Sequence, residues 1–179
     1  MPARDRLPLI IFTQGLSGSE PERWVGLACR ANTLDLVAKA AEVPHLGPIV
    51  VVTPTKGWDD ELARLPVEVV ADAPGAPFHF GRRLREVVTA YGFSRLLYVG
   101  GGSGALLQAP TLAALAQRAL SLERGVLCNN LYSADLVALA PASALEAVDL
   151  PATDNDLAWR LAAAGLPAES LPATAATRL

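Results

Sequence analysis

The segment Gly100–Gly104 contains the residue types that could most directly do chemistry. It reads GGGSG, follows the apolar run Arg95–Val99 and precedes a Leu-rich segment with helical spacing. Such a turn between a strand and a helix can bind a phosphate through backbone N–H groups, present a nucleophilic serine, or only allow the chain to turn tightly. These three interpretations make different demands on the rest of the sequence.

A serine nucleophile at Ser103 is disfavoured by the order of residues along the chain. In the strand–turn–helix nucleophile elbow the histidine follows the serine, whereas His45 and His79 both precede Ser103. A dinucleotide fingerprint is weakly supported, because the loop follows the fourth predicted strand and the fifth ends in CNN without the expected acid. Anion binding by the loop and a purely structural turn both stay open.

A second turn and one acid are further candidates. Gly15, Ser17 and Gly18 follow the first apolar run, and their backbone amides could bind an anion or simply allow the chain to turn. Asp72 directly follows the third apolar run. It could bind a metal or a ribose, or it could cap a turn.

Other polar residues are less specific. Arg82 and Arg83 could pair with a phosphate or lie on a solvated helix face. Cys29 and Cys128 are isolated in apolar surroundings, which is typical of free buried thiols in a reducing compartment. The histidines and cysteines share no metal-ligand spacing, so a zinc site is not expected.

Composition limits the class of protein. The 179 residues are 51% hydrophobic and 18% charged, which indicates one folded domain spanning residues 1–179. The net charge of −3 and the lack of a basic, aromatic-rich patch disfavour a nucleic-acid partner. No apolar run approaches the length of a membrane span, and no convincing cleavage site of a signal peptide follows the first apolar run. Together with the two isolated thiols, these features predict a cytoplasmic protein.

The apolar pattern predicts the elements that would position these residues. Strands are predicted at Leu7–Thr13, Ile49–Thr53, Val67–Ala71, Arg95–Val99, Gly125–Cys128 and Asp135–Ala140. Helices are predicted at Trp24–Val43, from Asp59, at Arg82–Tyr91, through Leu112–Leu120 and at Leu157–Ala164.

Two of these helices carry more detailed predictions. Helical spacing predicts the core face of the first, namely Leu27, Ala31, Leu34, Val37 and Ala38. Thr153 and Asp156 have the spacing of a capping box that would start the last helix. The tail after Pro167 shows no clear pattern.

Apolar strands alternating with helices predict an α/β fold, a three-layer sandwich with a mostly parallel sheet. In such sheets ligands bind beyond the carboxyl ends of the strands. We therefore expect the candidate site at one rim, formed by the loops Thr13–Ser19, Pro54–Lys56, Asp72–Phe80 and Gly100–Gly104.

Several segments, taken in order, resemble one superfamily. LPLIIFTQG, GPIVVVTP, VEVVADAPG with FGRRL, GSGALLQAPTLAAL and the last segment DLAWRLAAAGLPAESLPATAATRL follow its order of strands, loops and helices. The order is similar to that of the nucleotide-diphospho-sugar transferases, with a glycosyltransferase-A-like (Rossmann-like) fold. The small nucleotidyltransferases, such as molybdenum cofactor nucleotidyltransferases and 2-phospholactate guanylyltransferase, resemble it most.

The resemblance implies a function and a set of contacts. It implies binding of a nucleotide, nucleotide sugar or other phosphorylated small molecule at the rim, and transfer of a nucleotidyl or glycosyl group to a small acceptor with Mg²⁺. Phosphate contacts would come from Gly15, Ser17 and Gly18, the nucleoside or metal contact from Asp72, and the metal-proximal phosphate contact from Gly101, Gly102 and Ser103.

The departures from the family pattern imply an alternative. Ser103 stands where the family has a metal-binding aspartate, and Ala105 stands where it has a proline. A serine hydroxyl is a weaker ligand than a carboxylate for Mg²⁺. The first loop lacks the family's Lys and Arg, offering only the late Arg23. The alternative is a catalytically inactive descendant that binds a ligand or serves in assembly.

Overall fold

The computed structural model describes residues 6–13, 18–54, 59–72, 75, 77–153 and 156–177. The strands within them are β1 (Leu7–Phe12), β2 (Leu46–Thr53), β3 (Val67–Ala71), β4 (Leu96–Gly100), β5 (Gly125–Cys128), β6 (Leu136–Ala140) and β7 (Ala168–Ser170). The α-helices are α1 (Glu20–Ala41), α2 (Asp59–Leu62), α3 (Phe80–Tyr91), α4 (Ala109–Leu120) and α5 (Leu157–Ala163), with a 3-10 helix at Ala142–Glu146.

The strands form one seven-stranded sheet in the order β3-β2-β1-β4-β6-β5-β7. All neighbouring pairs are parallel except those of β6, which runs antiparallel to both β4 and β5. The predicted α/β fold with a mostly parallel sheet is therefore confirmed. The reversal of β6 places its first residue, rather than its last, at the edge where β1 and β4 end.

Two apolar clusters cover the two faces of the sheet. In β1, Leu9 and Ile11 pack into one cluster and Ile10 and Phe12 into the other, as the alternation of a pleated strand requires. Helices α1 and α4 complete the first cluster, and α3 and α5 complete the second. The result is the predicted three-layer arrangement.

The core face of α1 differs from the prediction. Val37 is buried and Leu34 packs against the core, but Leu27, Ala31 and Ala38 are exposed. The buried positions are Gly26, Thr33, Leu36, Val37 and Ala40. The prediction was wrong because hydrophobicity alone does not select this face, which includes a threonine and a glycine.

The C-terminal region corrects two further predictions. Helix α5 begins at Leu157 with Asp156 just before it, and the Arg160 Nε donates to Asp156 Oδ2 at 2.8 Å. Thr153 therefore does not cap this helix, and it lies three residues too early to do so. The unpatterned tail contains β7, an exposed edge strand that pairs in parallel with β5.

None of the helices in the described ranges is both long and apolar enough to cross a membrane.

Candidate functional site

A cavity of about 380 Å³ opens at the carboxyl ends of β1 and β4. These two strands are neighbours, so the loops that follow them meet at one edge of the sheet. We call this the aromatic cavity; it is lined by Phe12, Thr13, Phe78, Phe80, Tyr98, Gly100, Gly101, Gly102, Ser103, Asp135, Ala152 and Thr153. Of the residues predicted from the sequence, Gly101, Gly102 and Ser103 line it.

The glycine loop lies directly against the end of β1. The Gly101 N–H donates to the Phe12 carbonyl oxygen at 2.8 Å. A Cβ at Gly101 would lie 2.7 Å from that oxygen and 2.9 Å from the Thr33 Oγ1, closer than real Cβ atoms come. Glycine is needed at position 101 because any side chain would separate the loop from β1 and α1.

Helix α1 fixes the same loop from its other side. The Asn32 Nδ2 donates to the Gly101 oxygen at 3.1 Å and to the Ser103 oxygen at 2.6 Å. The Thr33 Oγ1 lies 3.1 Å from the Gly101 oxygen and 2.9 Å from the Cys29 oxygen, so these two acceptors share its one proton. These contacts satisfy the hydroxyl of Thr33, a polar residue that faces the core. The loop is consequently held in one conformation by side chains of α1.

The backbone amides of the loop are largely used within the protein. The Gly100 N–H donates to the Asp135 oxygen and the Ser103 N–H to the Gly100 oxygen, both at 2.9 Å. Together with the bond from Gly101, three amides of this turn already donate to carbonyls. Helix α4 starts at Ala109, and none of its residues lines the aromatic cavity.

One wall of the aromatic cavity is a cluster of four rings. Phe12 packs edge-on against Phe80 at 5.4 Å between ring centroids, against Tyr98 at 5.8 Å and against Phe78 at 6.1 Å. Phe80 and Tyr98 lie 4.9 Å apart. Phe78 is 57% exposed, whereas the other three are buried. An apolar surface with one accessible ring is thus available to a ligand.

Polar groups converge at the opposite side, near Gly100. A Cβ at Gly100 would lie 3.5 Å from both the Ser103 Oγ and the Tyr98 hydroxyl, and 3.8 Å from the Asp135 carbonyl oxygen. Asp135 is half-buried and is the one charged residue among the described residues that line the cavity. This aspartate directly precedes β6, so the reversed strand delivers it to the rim.

Asp135 and Thr153 were not predicted as site residues. The sequence search considered residues that follow strands, and Asp135 comes before one. An acid directly before the buried run Leu136–Ala140 was the available signal, but it is informative only once β6 is known to be antiparallel. Thr153 was assigned to a helix cap and lines the cavity instead.

Asp72 lies apart from this cavity. Its Oδ1 accepts from the Arg83 Nε at 2.7 Å, and the Arg83 Nη2 also donates to the Ala71 oxygen at 3.2 Å. The Asp72 side chain is only 20% exposed. Its carboxylate is therefore occupied by an ion pair, and the structure does not bring it together with Ser103 in one cavity.

Asp72 instead lines a second cavity of about 360 Å³. We call this the arginine cavity; it is lined by Asp72, Pro77, Phe78, His79, Arg82, Arg83 and Glu86. The exposed ring of Phe78 belongs to both cavities. The His79 Nδ1 accepts from the Arg82 N–H at 3.4 Å, which places the proton of a neutral His79 imidazole on Nε2.

The predicted Mg²⁺ was tested against the donor groups present. Within the described ranges, no three His, Cys, Asp or Glu side chains lie close enough to hold a metal ion. Asp72 is paired with Arg83, and Ser103 offers a hydroxyl in place of a carboxylate. These residues do not form a Mg²⁺ site by themselves, since that ion favours carboxylate ligands and strict octahedral geometry.

The first predicted loop is described only in part. Gly15 and Ser17 lie outside the described residues. Gly18 has φ +117°, and a Cβ there would lie 2.5 Å from the Glu22 Oε2. That oxygen accepts from the Ser19 N–H and Oγ, and these hydrogen bonds lower the pKa of Glu22. Gly18 thus serves the start of α1 and lines neither cavity.

Comparison with known proteins identifies the fold. No family model matches the sequence, and no curated protein matches it. A nucleotidyl transferase from Methanothermobacter thermautotrophicus is 16% identical, with a TM-score of 0.59, 94% of this chain covered and 89% of the other. A 4-diphosphocytidyl-2C-methyl-D-erythritol synthase from Anaerococcus prevotii is 13% identical, with a TM-score of 0.62 and coverages of 94% and 87%.

A third similar structure extends the same pattern. A protein of Desulfovibrio desulfuricans G20 that carries the name of the nucleotide-diphospho-sugar transferases is 9% identical, with a TM-score of 0.63 and coverages of 92% and 79%. The resemblance implied by the order of the sequence segments is therefore confirmed at the level of structure. This chain has the fold of the nucleotidyltransferases and nucleotide-diphospho-sugar transferases.

Proposed function

We propose that this protein binds a nucleotide or nucleotide sugar at the carboxyl rim of its sheet. The observation that carries the proposal is the aromatic cavity, which lies where β1 and β4 end and has the glycine loop Gly100–Gly104 as one wall. Ligands of open α/β sheets bind at this edge. Two similar structures are named for nucleotidyl transfer or a diphosphocytidyl product, which supports a nucleotide as the ligand.

If the protein is an enzyme, it transfers a nucleotidyl or glycosyl group to a small acceptor. The described residues contribute by holding the reactants: Asn32 and Thr33 fix the loop, and the loop holds Ser103 at the cavity wall. Such transfer depends mostly on positioning and on neutralising charge. The described residues do not provide the carboxylate ligands that Mg²⁺ favours, so the roles assigned to them are binding and positioning.

A second candidate is a ligand-binding protein of the same fold without transferase activity. Ser103 in place of a carboxylate favours it, as does the absence of Lys and Arg among the described residues that line the aromatic cavity. Stabilising a phosphoryl-transfer transition state requires positive charge near the phosphate. The predicted roles of Asp72 in metal binding and of Gly15 and Ser17 in phosphate binding stay predictions.

Thermal unfolding with nucleoside triphosphates and nucleotide sugars, with and without Mg²⁺ or Mn²⁺, tests the proposal. A ligand at about 100 times its Kd stabilises the native state by about 2.7 kcal/mol. For a chain of this size that corresponds to an increase in Tm of roughly 5–10 °C. A shift that needs the metal favours the transferase, and a shift independent of metal favours the binding protein.

A matched pair of variants locates the binding. Thr153 lines the aromatic cavity and Thr111 lies on α4 outside it, and both are exposed. We expect Thr153→Trp to remove the ligand-induced shift and Thr111→Trp to retain it, with both variants folded. If no nucleotide raises the Tm of the wild-type protein, the proposal is refuted. If a nucleotide raises the Tm of both variants equally, the ligand binds outside this cavity.

A further inference from the structure

The aromatic cavity is poorly equipped to bind a phosphate. Its one charged residue within the described part of the chain is Asp135, whose carboxylate repels an anion. Three of the five amides of the glycine turn already donate to protein carbonyls, and no residue of α4 lines the cavity. The loop therefore has few N–H groups left for an anion.

The same cavity is well equipped to bind a sugar ring. The carboxylate of Asp135 is an acceptor for hydroxyl hydrogens, and it has enough lone pairs to accept from several donors at once. The hydroxyls of Ser103 and Thr153 also line the cavity, and the Thr13 hydroxyl, which donates to the Val52 oxygen at 3.2 Å, keeps its acceptor lone pairs. The exposed Phe78 ring offers an apolar face for the C–H surface of the sugar.

The adjoining arginine cavity is lined by two arginines and two carboxylates, so the charge for a phosphate comes from one arginine rather than from the cavity as a whole. Arg83 is held by ion pairs to Asp72 at 2.7 Å and Glu86 at 3.3 Å, which use its charge within the protein. Arg82 is exposed, and across the described ranges its guanidinium takes part in no salt bridge. A guanidinium is suited to bidentate binding of phosphate oxygens.

We propose that the ligand lies across both cavities, with sugar hydroxyls bound by Asp135 in the aromatic cavity and its phosphate bound by Arg82 in the arginine cavity. The inference rests on the proposed function. It assigns the ligand's orientation and places its negative charge beside α3 rather than at the glycine loop. Phe78, which belongs to both cavities, lies at the junction between the two parts of the ligand.

Binding measurements on two variants separate the two halves of the ligand. The probes are CTP, GTP, UDP-glucose and inorganic pyrophosphate, titrated calorimetrically in EDTA so that no divalent ion contributes. Arg82→Gln should weaken each nucleotide that binds the wild type, and pyrophosphate too, by at least about tenfold, as expected for loss of a charged hydrogen bond. Arg85→Gln, on the same helix but lining neither cavity, should change each Kd less than about twofold.

The direction in which Asp135→Asn changes the Kd for nucleotides distinguishes the two possible positions of the phosphate. We expect the substitution to weaken nucleotide binding by at least about threefold, because an amide is a poorer acceptor for hydroxyls, while leaving pyrophosphate binding unchanged. Tighter nucleotide binding in Asp135→Asn would mean that the phosphate lies beside this carboxylate, and it would overturn the inference. An unchanged Kd in Arg82→Gln would overturn it as well, with the proposed function intact.

Failure of the proposed function has a different signature. If no nucleotide binds the wild-type protein while pyrophosphate binds and depends on Arg82, the anion site stands and the nucleotide proposal falls. If neither nucleotide nor pyrophosphate binds, both are refuted.

Discussion

Replacing Gly101 with alanine tests how the glycine loop is held. The new Cβ would lie 2.7 Å from the Phe12 carbonyl oxygen, where ordinary contacts begin at 3.4 Å, and 2.9 Å from the Thr33 Oγ1. The backbone would have to move by about 0.7 Å, which also breaks the 2.8 Å hydrogen bond from Gly101 to Phe12. Overpacking typically costs about 1–3 kcal/mol, and a lost hydrogen bond costs about 0.5–1.5 kcal/mol more.

The expected loss is therefore about 3 kcal/mol, or roughly 6–12 °C in Tm for a chain of this length. Differential scanning calorimetry measures it directly. Gly102→Ala is the matched control, since among the described residues its Cβ would meet the Cys29 Sγ alone, at 3.0 Å, and that side chain can rotate away. We expect that variant to lose less than about 1 kcal/mol. A Gly101→Ala protein that unfolds within about 1 °C of the wild type would refute the steric explanation.

Three further predictions follow from contacts elsewhere. Asn32→Ala should cost about 1–3 kcal/mol in urea unfolding, because the Ser103 oxygen loses its side-chain donor and the Gly101 oxygen loses one of its two. A cost below about 0.5 kcal/mol contradicts this. Burial, with a hydrogen bond to Glu68, raises the pKa of Tyr91 to about 12. Because the unfolded chain releases this proton first, the free energy of unfolding should fall as the pH rises from about 10 to 12. Tyr91→Phe should reduce that fall, and an unchanged pH profile of stability in the variant counts against the raised pKa. Burial raises the pKa of the Cys128 thiol, and the Cys29→Ser variant leaves this thiol alone to react. The native variant should react with a thiol reagent at pH 8 at least about tenfold more slowly than the unfolded variant, and equal rates would disprove the raised pKa.

The sheet was predictable because its strands are continuous apolar runs between helical segments. The bounds of β3 and β5 agree with the sequence prediction, and the other predicted strands shift by at most a few residues. Strand β7 was missed because it has three exposed residues at the sheet edge and leaves no apolar pattern. The core face of α1 was predicted wrongly because Thr33 faces inward, where its hydroxyl contacts the glycine loop. The spacing of apolar residues gives no indication of such a polar contact.

The candidate site was predictable only where residues follow parallel strands. That rule placed Gly101, Gly102 and Ser103 at the rim, and all three line the aromatic cavity. It could not find Asp135, because strand direction is not visible in the sequence of a single strand. It also favoured Asp72, whose ion pair with Arg83 depends on side chains eleven residues apart.

The direction of β6 has a consequence for how this protein can change. The connection at residues 129–135 leaves the rim from β5 and returns to it at β6, and the two strands are paired from Gly125 with Ala140 to Cys128 with Val137. Asp135 is the residue of this connection that lines the aromatic cavity, so an exchange at that position would alter the cavity wall while leaving the paired residues of β5 and β6 and the contacts of Asn32 in place. Ligand preference at this edge can therefore diverge among relatives, or be redesigned, independently of the segments that keep the chain folded.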